Sequence, residues 1–490
     1  MRATYIERIV RLGFGLLASA LLLTALLQLT PGAPADPGIS MRTARPVAEL
    51  VGPSLTLTLK SLAVGLAYAL PLALLLGIPA GLKPHSLLDR LLQAPAVALM
   101  GVPAAVGALL VIGSLALHGP ALSIPGATQV ALLLMLAAWV ARAVRNGLAD
   151  SRTDGAPRPW GKAVLLALGR VLQQTGNLLV ITMVVTVAGG GTGRSIWGLV
   201  VQGVSGRDLP VVYAALWAII PLVLVGHLAG DLLVTAVAGD GERPAGRISR
   251  SWLVIGGLLM ALLLIMPGLG GGQSPEAMDI IQRNLPPGPG HPLGTDHLGR
   301  DLLARAAAGT RVSLTISAAA TLLALLPAAA LATAGWAMGS WGMAVLTPRT
   351  AVPNLFGPLA AGLLGALIFR PSVAILILFL GLASIPSMAM AFRQLYQPGR
   401  TVAPVQRALP ALFGVLLLTL AQNLLAETTL SAMGFGVQPP MASLGHLVGA
   451  SMAYLRAAPQ GFWATLPGLA GIVGLCLVGH GLAGAGRENV

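Results

Sequence analysis

Apolar runs as long as a bilayer is thick recur along this chain, and they constrain its fold more than any other feature. A helix needs about 20 mainly apolar residues to cross the hydrocarbon core. Such runs lie at 10–30, 54–80, 95–117, 126–146, 164–189 and 211–238, and again at 252–268, 312–336, 351–369, 371–392, 408–429 and 461–484. A soluble domain has about 25% charged residues to cover its surface; here the share is 9%, with a mean hydropathy of +0.83. The sequence therefore predicts an all-α integral membrane protein of about twelve transmembrane helices.

The net charge of +14 does not indicate nucleic acid, because the basic residues are scattered between apolar runs instead of forming a stripe. They fit cytoplasmic ends of membrane helices. With the N-terminus inside, Arg2, Arg8, Arg11, Lys83, Arg90, Arg142, Arg145, Arg243, Arg247, Arg250, Arg349 and Arg393 all fall on the cytoplasmic face. Both termini are then cytoplasmic. Residues 12–29, after three arginines, read as a retained first helix, since Thr30-Pro-Gly-Ala-Pro is a breaker and not a clean cleavage site.

Residues 239–251 form a polar Gly/Pro linker between the two sets of six runs. The expected organisation is a first unit at 1–240, a cytoplasmic linker at 241–251 and a second unit at 252–490. In each unit the fifth run ends in a Gly-rich turn, Gly189–Arg194 in one and Met433–Pro440 in the other.

No catalytic constellation is present. The phosphate-binding pattern Gly-x-x-x-x-Gly-Lys-Ser/Thr is missing, so nucleotide must bind another chain. One cysteine, Cys476, permits no disulfide within the chain. The seven histidines lack metal-ligand spacing; for His291 a structural or capping role is favoured over a nickel contact. Asp231, His227 and Glu427 lie inside apolar runs, where ionisable groups invite functional hypotheses, yet inter-helix bonding is favoured over substrate contact. Neither a cofactor nor a metal site is expected in this chain.

The densest polar segment is His291-Pro-Leu-Gly-Thr-Asp-His-Leu-Gly-Arg-Asp301, followed by Arg305 and Arg311. On physical grounds alone it is a polar collar at the mouth of a membrane helix. Its wording, through His291, Gly294, Asp296, Gly299, Arg300, Asp301, Arg305 and Arg311, resembles the segment that opens the core of one permease subunit of bacterial peptide/nickel ABC importers. A second segment, with Glu427, Ser431, Gly434, Gly436, Gln438 and Pro439, resembles another signature of that family, and Pro467-Gly468 fits a third. The first unit is similar, more loosely, to the partner permease through Leu29–Ala35, Gly193-Arg194 and Arg207–Val212.

The resemblance implies two fused six-helix permease units, of the type I importer kind, in the bacterial inner membrane. It implies two ATP-binding subunits, or one fused ATPase, on the cytoplasmic side, which bind ATP and Mg. It also implies an extracytoplasmic binding protein that delivers a short peptide; nickel or a metal chelate is the alternative cargo. The loops that would couple to the ATPase are degenerate: one contains Arg158, Gly161 and Lys162 beside Pro157 and Pro159, the other Arg393 and Arg400 without a recognisable motif. A secondary transporter, which also often has two six-helix halves, calls for more polar residues deep in its spans. A non-transporting scaffold is the third class.

Overall fold

The computed structural model describes residues 38–83, 86–89, 91–92, 124–150, 160–175, 178–179, 182, 195–238, 250–270, 272–338, 356–369, 371–393, 405–453 and 460–485. Among them there is no β-strand, only isolated bridges such as Ile39 with Pro46 and Thr295 with Asp301. Helices are what a bilayer demands, because each backbone N–H and C=O must find its partner within the segment. The chain divides into two compact units, Met1–Met100 with Ser123–Arg243 and Gly101–Leu122 with Pro244–Val490.

In the first unit, α1 (Val47–Leu82) packs along α2 (Ile124–Asp150), and α3 (Trp160–Gln173) packs on both α2 and α5 (Leu209–Ala238). The short α4 (Ile196–Ser205) lies against α5. Its start is capped by Ser195, whose Oγ accepts from the Gly198 N–H at 3.0 Å. Glycine sets the α3–α5 spacing: a Cβ at Gly230 would lie 2.5 Å from the carbonyl oxygen of Gly169.

In the second unit, α6 (Arg250–Ile265) runs into a 3₁₀ turn (Met266–Gly268) and packs on α12 (Gln460–Ala485). Next come α7 (Leu302–Ala337), α8 (Phe356–Ile368), α9 (Val373–Arg393), α10 (Val405–Ala432) and α11 (Leu444–Ala453). The main contacts join α7 to α9 and α10 to α12. In the middle of α7, Leu322 and Leu326 point out, 65% and 78% exposed, while Ala320, Ala324, Ala328 and Ala332 are fully buried. Large apolar residues outside and small ones inside suit lipid as the surrounding solvent and let helix backbones approach.

Four described helices are long and apolar enough to cross a membrane: Val47–Leu82, Leu209–Val237, Leu302–Ala337 and Leu412–Ala432. Several others are shorter apolar helices, among them Val373–Ala389 and Trp463–Gly479. The expected runs at 10–30 and 95–117 and most of the 241–251 linker lie outside the described residues. One boundary differs most from expectation: the run placed at 312–336 begins at Leu302, because a buried carboxylate caps the helix there. Helices α4 and α11, in segments expected to be short connections, are too short to carry a span-length hydropathy signal.

The α6–α12 contact gives a direct test. A Cβ at Gly474 would sit 2.6 Å from the carbonyl oxygen of Gly256, whereas one at Gly257 would meet nothing within 4 Å. Gly474→Val should destabilise the detergent-purified protein by about 1–3 kcal/mol through overpacking. Gly257→Ala should leave the thermal unfolding midpoint unchanged or slightly raised.

Candidate functional site at the start of α7

Two buried carboxylates organise the segment between α6 and α7. Asp301 adopts extended backbone angles and its Oδ1 accepts from the Ala304 N–H at 2.7 Å, which caps α7. Its other oxygen, Oδ2, lies 2.8 Å from Nδ1 of His291. The second ring nitrogen of His291, Nε2, meets the side-chain amide oxygen of Gln282 at 2.8 Å. Both imidazole nitrogens are engaged, so His291 braces the loop against the helix cap.

Asp296 is the second organiser. Its Oδ1 accepts from the N–H groups of Leu298 (2.9 Å) and Arg300 (3.0 Å), and its Oδ2 from Nε of Arg300 (2.8 Å). Nε of Arg305 stands 3.6 Å from the same Oδ2. Arg305 belongs to the first turn of α7 and is 4% exposed; its Nη1 donates to the Pro275 carbonyl at 3.0 Å. Arg311, two turns on, donates through Nη2 to the Pro267 carbonyl at 2.8 Å. These cations are thus spent on carboxylate and loop carbonyls, which offsets the cost of burying Arg305; Arg311 is exposed.

The glycines of the motif serve the same loop. Gly294 and Gly299 have φ of +78° and +74°, which side-chain-bearing residues rarely adopt. At Gly299 a Cβ would run into the carbonyl of Asp279, so only glycine lets the two strands of the loop cross. Thr295 completes the knot: its hydroxyl donates to the Gln282 carbonyl and accepts from the Leu285 N–H at 2.8 Å. A cavity of about 20 Å³ between Asp296, His297, Leu302, Arg305, Leu447 and Ser451 has room for one water, not for a cargo molecule. Burial lowers the pKa of His297 there, and that of His446 at the start of α11.

The second sequence motif closes on this site from α10. Glu427, fully buried, accepts from the Ser431 hydroxyl at 2.7 Å, and Ser431 in turn accepts from the Val437 N–H at 3.0 Å. Gly434 takes φ +84° in the turn, and the side-chain amide of Gln438 donates to the carbonyls of Gly434 (3.0 Å) and Gly436 (3.1 Å). Pro439 leads the chain toward α11. The two motifs meet where the Leu444 N–H donates to Ser313 on α7 at 3.1 Å and where Gly309 faces the backbone of Ser443.

A group that the sequence does not single out sits deeper. Asn423 on α10 donates to Thr321 on α7 at 3.1 Å and accepts from Ser384 on α9 at 2.8 Å. Asn423 is 0%, Ser384 1% and Thr321 5% exposed. Isolated polar residues inside apolar runs have no sequence signal; only their meeting across three helices reveals them.

In the first unit, Asp208 is buried and accepts from the N–H groups of Met41 (3.1 Å) and Arg42 (3.3 Å) and from the Ser40 hydroxyl. It ties the segment before α1 to the corner before α5, where Arg207 has φ +53°. Arg145, expected at the cytoplasmic end of the 126–146 run, is in α2 and forms a two-point pair with Asp89, at 2.6 and 3.1 Å. Of the expected coupling positions, Gly161 and Lys162 are exposed in the first turn of α3 and Arg393 ends α9. Arg158, Arg400, Gly193 and Arg194 lie outside the described residues.

No family model matches the chain. Individual relatives do. It is 32% identical over 257 residues to a putative peptide transport system permease protein of Brucella suis biovar 1 (strain 1330), covering 46% of this chain and 84% of the relative. It is 28% identical over 262 residues to a nickel transport system permease protein of Escherichia coli (strain K12), covering 48% of this chain and 94% of the relative. A probable D,D-dipeptide transport system permease protein of the same organism is 26% identical over 252 residues, covering 48% and 83%.

The geometry assigns unequal roles to the two carboxylates. Asp296→Ala leaves Arg305 buried without its counter-charge and should cost about 3–5 kcal/mol. Asp301→Ala removes a helix cap and should cost about 0.5–2 kcal/mol, with Asp301→Asn recovering most of the loss. Thermal unfolding of the purified variants measures both.

Proposed function

Because the chain belongs to the family of peptide and nickel transport system permeases, we propose that it is the membrane path of an ATP-driven importer of short peptides, with two permease units fused in one polypeptide. The observation that carries this is the pairing of the His291–Arg311 knot with the Glu427–Pro439 turn at one end of the second unit. Both segments resemble signatures of the same family, and they are in direct contact.

The fused arrangement draws support from two features. Each relative matches less than half of this chain while most of the relative is covered, and the chain divides into two compact units. In this reading twelve helices form two six-helix units in the bacterial inner membrane, with both termini cytoplasmic. The knot then faces outward, where an extracytoplasmic binding protein arrives with its peptide. Peptide is preferred over nickel because both nitrogens of His291 are already engaged within the knot.

Energy has to come from elsewhere, since the chain carries no Gly-x-x-x-x-Gly-Lys-Ser/Thr sequence. Two ATP-binding subunits, or one fused ATPase, would dock on the cytoplasmic side and bind ATP and Mg. The ends of α9 and the start of α3 are the proposed docking points; Gly161 and Lys162 are exposed there. Alternating access then follows as the ATPases draw together and apart.

The test is reconstitution of the chain in liposomes with ATPase subunits and a binding protein encoded beside it. ATP hydrolysis should rise when the peptide-loaded binding protein is added, and labelled peptide should accumulate in the lumen on the binding-protein side's opposite face. Stimulation by nickel in place of peptide would reassign the cargo. Failure of every such ATPase to co-purify with the chain would overturn the importer reading.

A further inference from the structure

The second unit contains a polar seam that runs from the Glu427 motif along the α7–α10 contact. Along α7, Ser313, Ser317 and Thr321 recur at four-residue spacing, and along α10 so do Thr419, Asn423, Glu427 and Ser431. Residues at that spacing share one helix face. All are buried: Ser313, Ser317, Asn423 and Glu427 are 0% exposed, Ser431 1%, Thr419 3% and Thr321 5%. The Asn423–Thr321 hydrogen bond sets the register between the stripes. Ser313 also lies beside the Glu427 carboxyl, so the stripes run antiparallel and Ser317 falls in the turn between Thr321 and Ser313.

Two atoms in this seam have no hydrogen-bond partner, Ser317 Oγ and Glu427 Oε2. The other carboxyl oxygen, Oε1, accepts from Ser431. The hydroxyls of Ser313 and Thr428 also lie by the carboxyl, but hydroxyls carry no charge, so an ionised carboxylate here would lack a counter-charge. A buried charge needs a paired cation, and no ion pair to Glu427 occurs among the described residues.

Among the described side chains, the titratable groups on the elements packed against α10 do not supply that cation. On α7, Arg305 is engaged by Asp296 and Pro275, and Arg311 by Pro267. On α11, His446 is held by the Met441 carbonyl. On α12, Cys476 is not a cation, and α8 carries no titratable residue.

We infer that Glu427 binds a proton when α7 and α10 are packed together. The neutral acid turns Oε2 from an unsatisfied acceptor into an O–H donor on the face that carries Ser317. No bond other than O–H changes: the proton leaves to water when the helices part and the carboxyl is hydrated.

The sign for stability follows. A proton held in the folded protein and absent from the hydrated carboxylate stabilises the fold at low pH, and that contribution is lost as pH rises. Thermal unfolding of the full chain in detergent, wild type against Glu427→Gln, reads this directly. The variant should melt at least as high as wild type, and the gap between them should widen from acidic to alkaline pH. Infrared spectra of wild type at neutral pH should contain a protonated-carboxyl carbonyl band that is missing from Glu427→Gln. Parallel melting curves, or no such band, would overturn the inference. So would a Glu427→Gln chain that does not fold, since a neutral isostere must serve where a neutral acid does. Stabilisation of wild type by sodium ions at fixed pH, lost in the variant, would also overturn it by making the site one for a metal ion.

Discussion

Close approach of helix backbones is the interaction on which both units rest. Lipid is as apolar as leucine, so burying leucine between helices gains little, and association depends on packing and on polar contacts. Glycine and alanine make that packing possible. Gly230 meets Gly169 between α3 and α5, and Gly474 meets Gly256 between α6 and α12. Along α7 the alanines at 320, 324, 328 and 332 are buried in the same way, while Leu322, Leu323 and Leu326 face outward.

Once backbones lie this close, a few polar groups settle how the helices end and register. Asp301 starts α7 ten residues before its apolar run, and Asp296 draws Arg305 into the interior of that first turn. A cap and a buried ion pair at one point make the loop before α7 rigid through many short-range bonds. The second motif leans on that rigid point through Ser313 and Gly309. The shared position of the two motifs is therefore a matter of mutual support, and transport-related surfaces can be built on it.

The motif residues were legible one by one. His291, Asp296, Arg300, Asp301 and Arg305 stood out as charges in an apolar chain, and a bracing role for His291 agrees with its two occupied nitrogens. What each charge touches was not legible. Arg305 looked like part of a water-facing collar, yet it is among the most buried charged residues described. Asn423, Ser384 and Thr321 gave no signal at all, since a single hydroxyl or amide barely alters the hydropathy of its run. Helices α4 and α11 were hidden for a related reason: each has ten residues, too few to register as a span.

The sequence by itself determined that this chain is helical and lives in a membrane, because scarce charge and runs about 20 residues long leave no other way to satisfy the backbone. It also determined the family, through motif wording that apolar composition does not dictate. Only the tertiary structure decided which charges neutralise one another, where α7 begins, and that three isolated polar residues form one network. Those outcomes depend on distances between residues far apart in the chain, such as Thr321 and Asn423, and hydropathy contains no information about distance.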